Sequence, residues 1–212
     1  MKLLRRFPLN SKLRLIKDNR TSQQILERSF SLRPAKPLRL HTRTKIYVKK
    51  MRGGSVRKVP IPYKYIFWSW LGAFIAIAAT GYPAALTHTP LLIAPFGATT
   101  VLIFGVPDSP LAQPRNVIGG HCLATLISLT LLHTFGVSWW VMALAVSTTI
   151  AVMQMTSTLH PPAGATPLVV IMTKADWSFF FIPILSGALL LVICAVVFNN
   201  LARDRTYPKY WW

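Results

Sequence analysis

Acidic residues are scarce in this sequence: Asp and Glu together number 5, against 24 Lys and Arg, in 212 residues. There are only two cysteines, which excludes a small scaffold held together by disulfide bonds. The sequence also lacks a P-loop, a Gly-x-Ser-x-Gly elbow, a Cys-x-x-Cys pair and a His-Glu-x-x-His zinc motif. We therefore expect no enzymatic activity, no metal and no cofactor.

The positive charge is concentrated in the N-terminal part of the chain. Residues 1–64 hold 19 Lys and Arg and two acids, whereas residues 65–212 hold 5 Lys and Arg and three acids. A nucleic-acid-binding globule would carry its basic residues across a folded surface, so no nucleic-acid partner is expected. We predict a basic arm over residues 1–60 and a membrane domain over residues 61–212.

The basic arm has three interpretations. An Arg-rich, acid-poor arm is typical of an organelle transit peptide. A polybasic segment next to a membrane can also bind anionic lipid. In the third interpretation translation starts at Met51, before Arg52-Gly53-Gly54, and the arm is an over-extended start. We favour a disordered arm or the late start.

Long apolar stretches dominate the rest of the sequence. Four of them reach the roughly 17–25 residues that a helix needs to span a bilayer, and none contains Lys, Arg, Asp or Glu: residues 65–86, 117–135, 137–159 and 179–201. Two shorter stretches, 91–106 and 162–173, lie between them. The pattern predicts an all-α polytopic membrane protein with four long transmembrane helices and two short ones.

The two short stretches share a motif. Residues 95–99 read Pro-Phe-Gly-Ala-Thr, residues 162–166 read Pro-Ala-Gly-Ala-Thr, and the same spacing relates Gly120 to Gly187. We therefore predict two three-helix repeats, 65–135 and 137–201. The repeats are inverted if all six segments cross the membrane, and parallel if the short ones are re-entrant. We favour the inverted arrangement, with both termini cytoplasmic because the arm and the C-terminal tail are basic.

The sharpest chemical feature is His160-Pro161-Pro162. The two prolines end the preceding helix, and Pro162 suits the first turn of a new one. A helix that starts inside a membrane presents unpaired N–H groups that attract a small anion, and His160 is an ionisable group at that depth. A Pro kink with small residues for helix packing is the alternative. The candidate substrate-binding residues are Gly97, Ala98, Thr99, Arg115, His121, His160, Gly164, Ala165 and Thr166.

The segment between residues 105 and 116 contains three prolines together with Asp108 and Arg115. An Asp108–Arg115 ion pair would hold this loop rigid. Alternatively, Arg115 faces the substrate path and attracts anions. The sequence leaves both readings open.

At these residues the sequence resembles the HPP family of integral membrane proteins. The resemblance covers about residues 52–212, and its motifs are residues 96–99, 104–121, 159–166 and 207–212. Members in chloroplasts and cyanobacteria are associated with nitrite transport, which implies a small-anion transporter. The start at Met51 looks more like a bacterial member, which implies a bacterial inner (plasma) membrane, with the chloroplast envelope as the alternative.

Together these features predict a transporter or facilitator of a small monovalent anion, nitrite first. The anion would lie between the N-termini of the two short helices, and His160 or His121 would couple a proton. The expected partners are the lipid bilayer and a small inorganic anion, and a homo-oligomer stays open. Alternatives are a passive anion channel and a non-transporting membrane scaffold or sensor subunit.

Overall fold

The computed structural model describes residues 40–52, 60–87 and 92–212. The predicted arm lies outside the described residues except for its last part, which contains helix α1 (Leu40–Met51). The chain divides into two units, Met1–Lys58 and Val59–Trp212. The described residues contain helices and no strands.

The second unit is built from helices joined by short connections. They are α2 (Tyr63–Thr87), α3 (Ala94–Thr100), α4 (Pro114–Phe135), α5 (Trp139–Met155), α6 (Thr166–Met172) and α7 (Ser186–Leu201). A π-helical segment, Val101–Gly105, continues α3, and another, Phe180–Leu185, leads into α7. Short 3-10 turns, Pro110–Ala112 and Pro161–Ala165, precede α4 and α6.

Three described helices are long and apolar enough to cross a membrane: Tyr63–Leu86, Pro114–Phe135 and Phe180–Leu201. The predicted fourth long helix, over residues 137–159, is shorter in the structure, because α5 has 17 residues and ends at Met155. Ser157 adopts a left-handed φ of 55°, and the chain is extended at His160, as expected before proline. The count of four long helices is therefore not confirmed.

The long helices pack against both long and short partners. Helix α4 packs along α5 and α6, helix α2 packs along α7, and α3 contacts the Pro161–Ala165 turn. Large apolar side chains that remain exposed, such as Phe74, Leu144 and Ile193, lie on the outside of this bundle. An exposed apolar surface of this kind suits contact with lipid rather than water.

Charged side chains of the second unit gather at one end of the bundle, named here the charged end. Lys64 Nζ, next to the start of α2, lies 3.3 Å from Asp204 Oδ2, beyond the end of α7. Arg115 Nη2, at the start of α4, donates to Thr156 O, just after α5, at 2.7 Å. The Tyr65 hydroxyl donates to a carbonyl at the end of the first π segment.

The other end of the bundle carries fewer charges. His133, in the last turn of α4, stacks on Trp177 with ring centroids 5.6 Å apart. Lys174 and Asp176 lie in the same connection as Trp177, between α6 and the second π segment. Helix α4 therefore runs from the charged end to this connection.

Candidate functional site

The two short elements begin at their prolines. Pro95 lies in the first turn of α3, after an extended residue at Ile93 (φ −123°, ψ 150°). The second element begins at Pro161, after an extended His160 (φ −133°, ψ 101°). Proline has no N–H and its φ is fixed, so it fits a first helical turn, whereas inside a helix it removes a hydrogen bond. The predicted new helix start after His160 is confirmed.

Two histidines and two threonines meet between these elements in a network that is completely buried. Thr99 Oγ1 lies 2.9 Å from His121 Nε2 and 3.0 Å from His160 Nε2. His121 Nδ1 lies 3.0 Å from Thr166 Oγ1. His160 Nδ1 lies 2.8 Å from the carbonyl oxygen of Leu111. The His–Thr network, defined as Thr99, His121, His160 and Thr166, thus joins both Pro-x-Gly-Ala-Thr elements.

Donor and acceptor chemistry gives the His–Thr network a direction. The Leu111 carbonyl only accepts, so His160 Nδ1 carries the proton in this contact. In a neutral imidazole the other nitrogen is an acceptor, so the Thr99 hydroxyl donates to His160 Nε2. Thr99 Oγ1 then accepts from His121 Nε2, and His121 Nδ1 accepts from the Thr166 hydroxyl. The donors therefore all point from Thr166 toward Leu111.

Glycines on two helices make room for these groups. A Cβ at Gly120 would lie 2.8 Å from His160 Cβ, and a Cβ at Gly187 would overlap the ring of Phe96. Phe96 in turn packs edge-on against His121, with ring centroids 5.3 Å apart. Gly120 and Gly187 are the residues related by the repeat spacing, so each repeat supplies a glycine against the other repeat's short element.

The structure does not bring the other small residues into the His–Thr network. Gly97, Ala98 and Ala165 are exposed, and Gly164 is half-buried. A Cβ added at Gly97 or Gly164 meets no atom within 4 Å. Among the predicted substrate-binding residues of the two motifs, only the threonines face the histidines.

Arg115 also lies apart from the network. Its guanidinium donates to the carbonyl of Thr156, and Asp108 pairs instead with Lys209, whose Nζ lies 2.9 Å from Asp108 Oδ1. The Asp108–Arg115 pair considered for the loop is thus absent from the described residues. The loop is held to the C-terminal tail instead.

Two buried polar residues outside the predicted substrate-binding set support the site. Asn116 Nδ2 donates to Leu159 O at 2.9 Å and so holds the residue before His160. The Tyr207 hydroxyl donates to Ala112 O at 2.9 Å, and burial raises the pKa of this phenol, which keeps it protonated. Asn116 could have been noticed in the sequence, because it is an amide side chain at the start of a long apolar helix.

Within residues 40–52, 60–87 and 92–212, no group of three or more His, Cys, Asp or Glu side chains is placed to hold a metal ion. The two site histidines have ring centroids 5.2 Å apart and are linked to threonines. The arrangement is suited to hydrogen bonding and proton exchange.

Comparison with known proteins places most of the second unit in one family. Residues 58–208 match the family described as HPP, transmembrane region. A transmembrane protein of Dictyostelium discoideum is 46% identical over 180 residues, covering 78% of this chain and 63% of its own length. A second one from this organism is 40% identical over 182 residues, covering 78% and 57%. The chain spans about three fifths of the length of these curated relatives. No solved structure matches it.

Proposed function

The chain belongs to the HPP transmembrane-region family and is an integral membrane protein; on that basis we propose that it transports a small monovalent anion, with nitrite as the first substrate to test. The observation that carries the proposal is the His–Thr network, which joins the two repeated elements in the core of the bundle. Ionisable groups at membrane depth are costly, and they usually mark a substrate or proton path.

The distribution of acidic residues in the second unit favours an anion over a cation as the substrate. The three acids of the second unit are Asp108, Asp176 and Asp204, and all are exposed in the connections or the tail. The His–Thr network offers hydroxyl and imidazole groups, and any proton that it gains makes it positive. A cation path would need carboxylates or a ring of carbonyls facing the solute. We therefore propose that the anion binds beside the network, between the two short elements.

The network also has the chemistry to couple a proton to the anion. Thr99 Oγ1 lies 3.1 Å from Pro95 O, one turn back on α3, which gives its hydroxyl a second acceptor. When His160 gains a proton at Nε2, that N–H donates to Thr99, and the Thr99 hydroxyl turns to Pro95 O. The network thus accepts one proton while each hydrogen bond keeps a donor and an acceptor.

We expect Thr99→Val to reduce proton-driven nitrite uptake by about tenfold, because leaving buried hydrogen-bond partners unsatisfied costs about 1–3 kcal/mol. Thr99→Ser keeps the hydroxyl and should retain most of the activity. Uptake is measured in liposomes that contain purified protein, with and without a pH gradient. Protein-free liposomes run beside them, because nitrous acid crosses bilayers unaided.

The outcomes separate the proposal from its alternatives. Uptake above protein-free liposomes that follows the pH gradient supports proton-coupled transport. Uptake that ignores the gradient and is equal in both Thr99 variants indicates a passive channel. If no member of a panel of monovalent anions is taken up while the protein remains folded, a scaffold or sensor subunit becomes the better interpretation.

We further propose that the repeats are inverted and that both ends of the second unit are cytoplasmic. The contacts at the charged end support alternating directions, since the starts of α2 and α4 lie there with the ends of α5 and α7. Five Lys and Arg lie at this end against Lys174 at the other, and cytoplasmic ends carry the excess of Lys and Arg. The bacterial inner membrane stays a prediction, and no catalytic activity is proposed.

Labelling of cysteines introduced one at a time tests this orientation. Thr206 and Ser178 are exposed at the charged end and at the opposite connection. In intact cells an impermeant maleimide should label Ser178→Cys and not Thr206→Cys, and permeabilisation should make both reactive. Labelling of the protein without an introduced cysteine gives the background from Cys122 and Cys194. The reverse pattern would overturn the orientation, and labelling of both sites in intact cells would overturn the two-sided arrangement.

A further inference from the structure

A cavity of about 420 Å³ lies at the charged end, outside the His–Thr network. This volume is within the range of about 300–1,000 Å³ that is usual for ligand pockets. Its walls come from the start of α4, from the turn before His160 and from the C-terminal tail, and they include Arg115, Ile118, Gly119, Cys122, Trp211 and Trp212. The proposed transport path uses none of these side chains.

The cavity combines one cation with apolar walls. Arg115 is half-buried and donates to the neutral carbonyl of Thr156, and no ion pair joins it to another described residue. A guanidinium has five N–H donors in a planar fork that matches the oxygens of a phosphate. The charge of Arg115 therefore has no counterion among the described residues, and an anionic ligand would supply one.

The lining residues on α4 form a single stripe. Three lining residues follow Arg115 on α4, at three, four and seven positions along the chain: Ile118, Gly119 and Cys122. At these spacings they lie on the same face of the helix as Arg115. Cys122 lies about 10 Å deeper along the helix axis than Arg115, at about 1.5 Å of rise per residue. The cavity is thus cationic at the end of the bundle and apolar toward its middle. Trp211 and Trp212 flank it, and Trp is typical of the membrane interface.

We propose that this cavity binds an anionic phospholipid, with the phosphate on Arg115 and one acyl chain along Ile118 and Cys122. The order of the contacts matches the order of groups in a phospholipid, whose head lies at the interface while its chains enter the hydrocarbon. Arg115, which the sequence suggested for the substrate, thereby obtains a role that is independent of transport. The proposal stands or falls separately from the transported anion.

The free thiol of Cys122 reports on the occupant, since it lines the cavity. The full chain is purified in a neutral detergent and labelled with a maleimide while phosphatidylglycerol or phosphatidylcholine with identical chains is titrated in. We expect phosphatidylglycerol to protect the thiol at roughly fivefold lower concentration, because an added cation near an anionic head favours binding by about that factor. Cys122→Ser identifies labelling that comes from Cys194.

Two variants make the result specific to Arg115. Arg115→Gln should remove the preference for phosphatidylglycerol, whereas Arg203→Gln, the same charge change at an exposed site of the charged end, should retain it. A thermal melt of each variant shows that the fold is kept. Equal protection by both lipids, a preference that survives in Arg115→Gln, or protection by free fatty acid as strong as by phosphatidylglycerol would each overturn the proposal.

Discussion

Replacement of Arg205 by alanine is expected to destabilise the membrane unit by about 2–4 kcal/mol, because it leaves several buried acceptors without donors. The Arg205 guanidinium donates to Phe104 O at 3.1 Å and to Asn199 Oδ1 at 3.2 Å. These two bonds come from Nη1, and Nη2 donates to Tyr65 O at 2.6 Å and to Ser69 Oγ at 2.8 Å. The measurement is the midpoint of thermal unfolding in detergent.

The matched control for this prediction is two residues away. Arg203 is exposed, whereas Arg205 is 7% exposed. Arg203→Ala removes the same charge from the same tail and should change the midpoint little, as expected for a solvated surface side chain. Equal midpoints for the two variants would show that the Arg205 contacts contribute no net stability.

Loss of Arg205 should also affect the His–Thr network, because Arg205 binds the end of the helical element that carries Thr99. Phe104 belongs to the π segment that continues α3, and its carbonyl also accepts from Ser69 Oγ at 2.8 Å. A cation at the C-terminal end of a short helix satisfies carbonyls that have no intrahelical partner. Arg205 thereby fixes the end of the element that carries Thr99. Loss of these contacts should loosen the His–Thr network as well as the bundle.

The second large effect is expected for Gly120→Ala. Alanine gains about 1 kcal/mol of helix propensity over glycine, but overpacking a tight core costs about 1–3 kcal/mol. The added Cβ would lie 2.8 Å from His160 Cβ and 3.2 Å from the Thr158 carbonyl oxygen, and backbone cannot yield cheaply. We therefore expect a lower unfolding midpoint. Transport should fall by about a hundredfold, since small displacements of functional groups cost that much.

Gly164→Ala is the control for this prediction. Its added Cβ meets no atom within 4 Å, so the unfolding midpoint should stay unchanged or rise slightly. Gly164 was a candidate substrate contact, so its transport rate tests that role without a change in stability. A midpoint for Gly120→Ala as high as that of Gly164→Ala would contradict the packing argument.

Helices and helix breaks that depend on nearby residues could be predicted from the local sequence. The apolar stretches predicted the membrane helices, because the length and hydropathy of a segment decide whether it suits a bilayer. The break at His160-Pro161-Pro162 was predictable, because proline restricts its own φ and the residue before it. The fourth long helix was not confirmed at its predicted length, because hydropathy does not reveal that the chain turns at Ser157 before the prolines.

The partners of each site residue depended on contacts between distant parts of the chain. Thr99 contacts His160, which is 61 residues away in the sequence, and His121 contacts Thr166, which is 45 residues away. No rule based on neighbouring residues predicts these contacts. The motif spacing indicated that the two threonines are equivalent, but it could not show that Gly97, Ala98 and Ala165 face outward. By itself the sequence determined a membrane-embedded helical protein with two repeated helix breaks, because hydropathy and proline geometry act locally. Only the tertiary structure decided that two histidines connect the breaks and that Arg115 stands apart from them, because helix packing sets which faces meet.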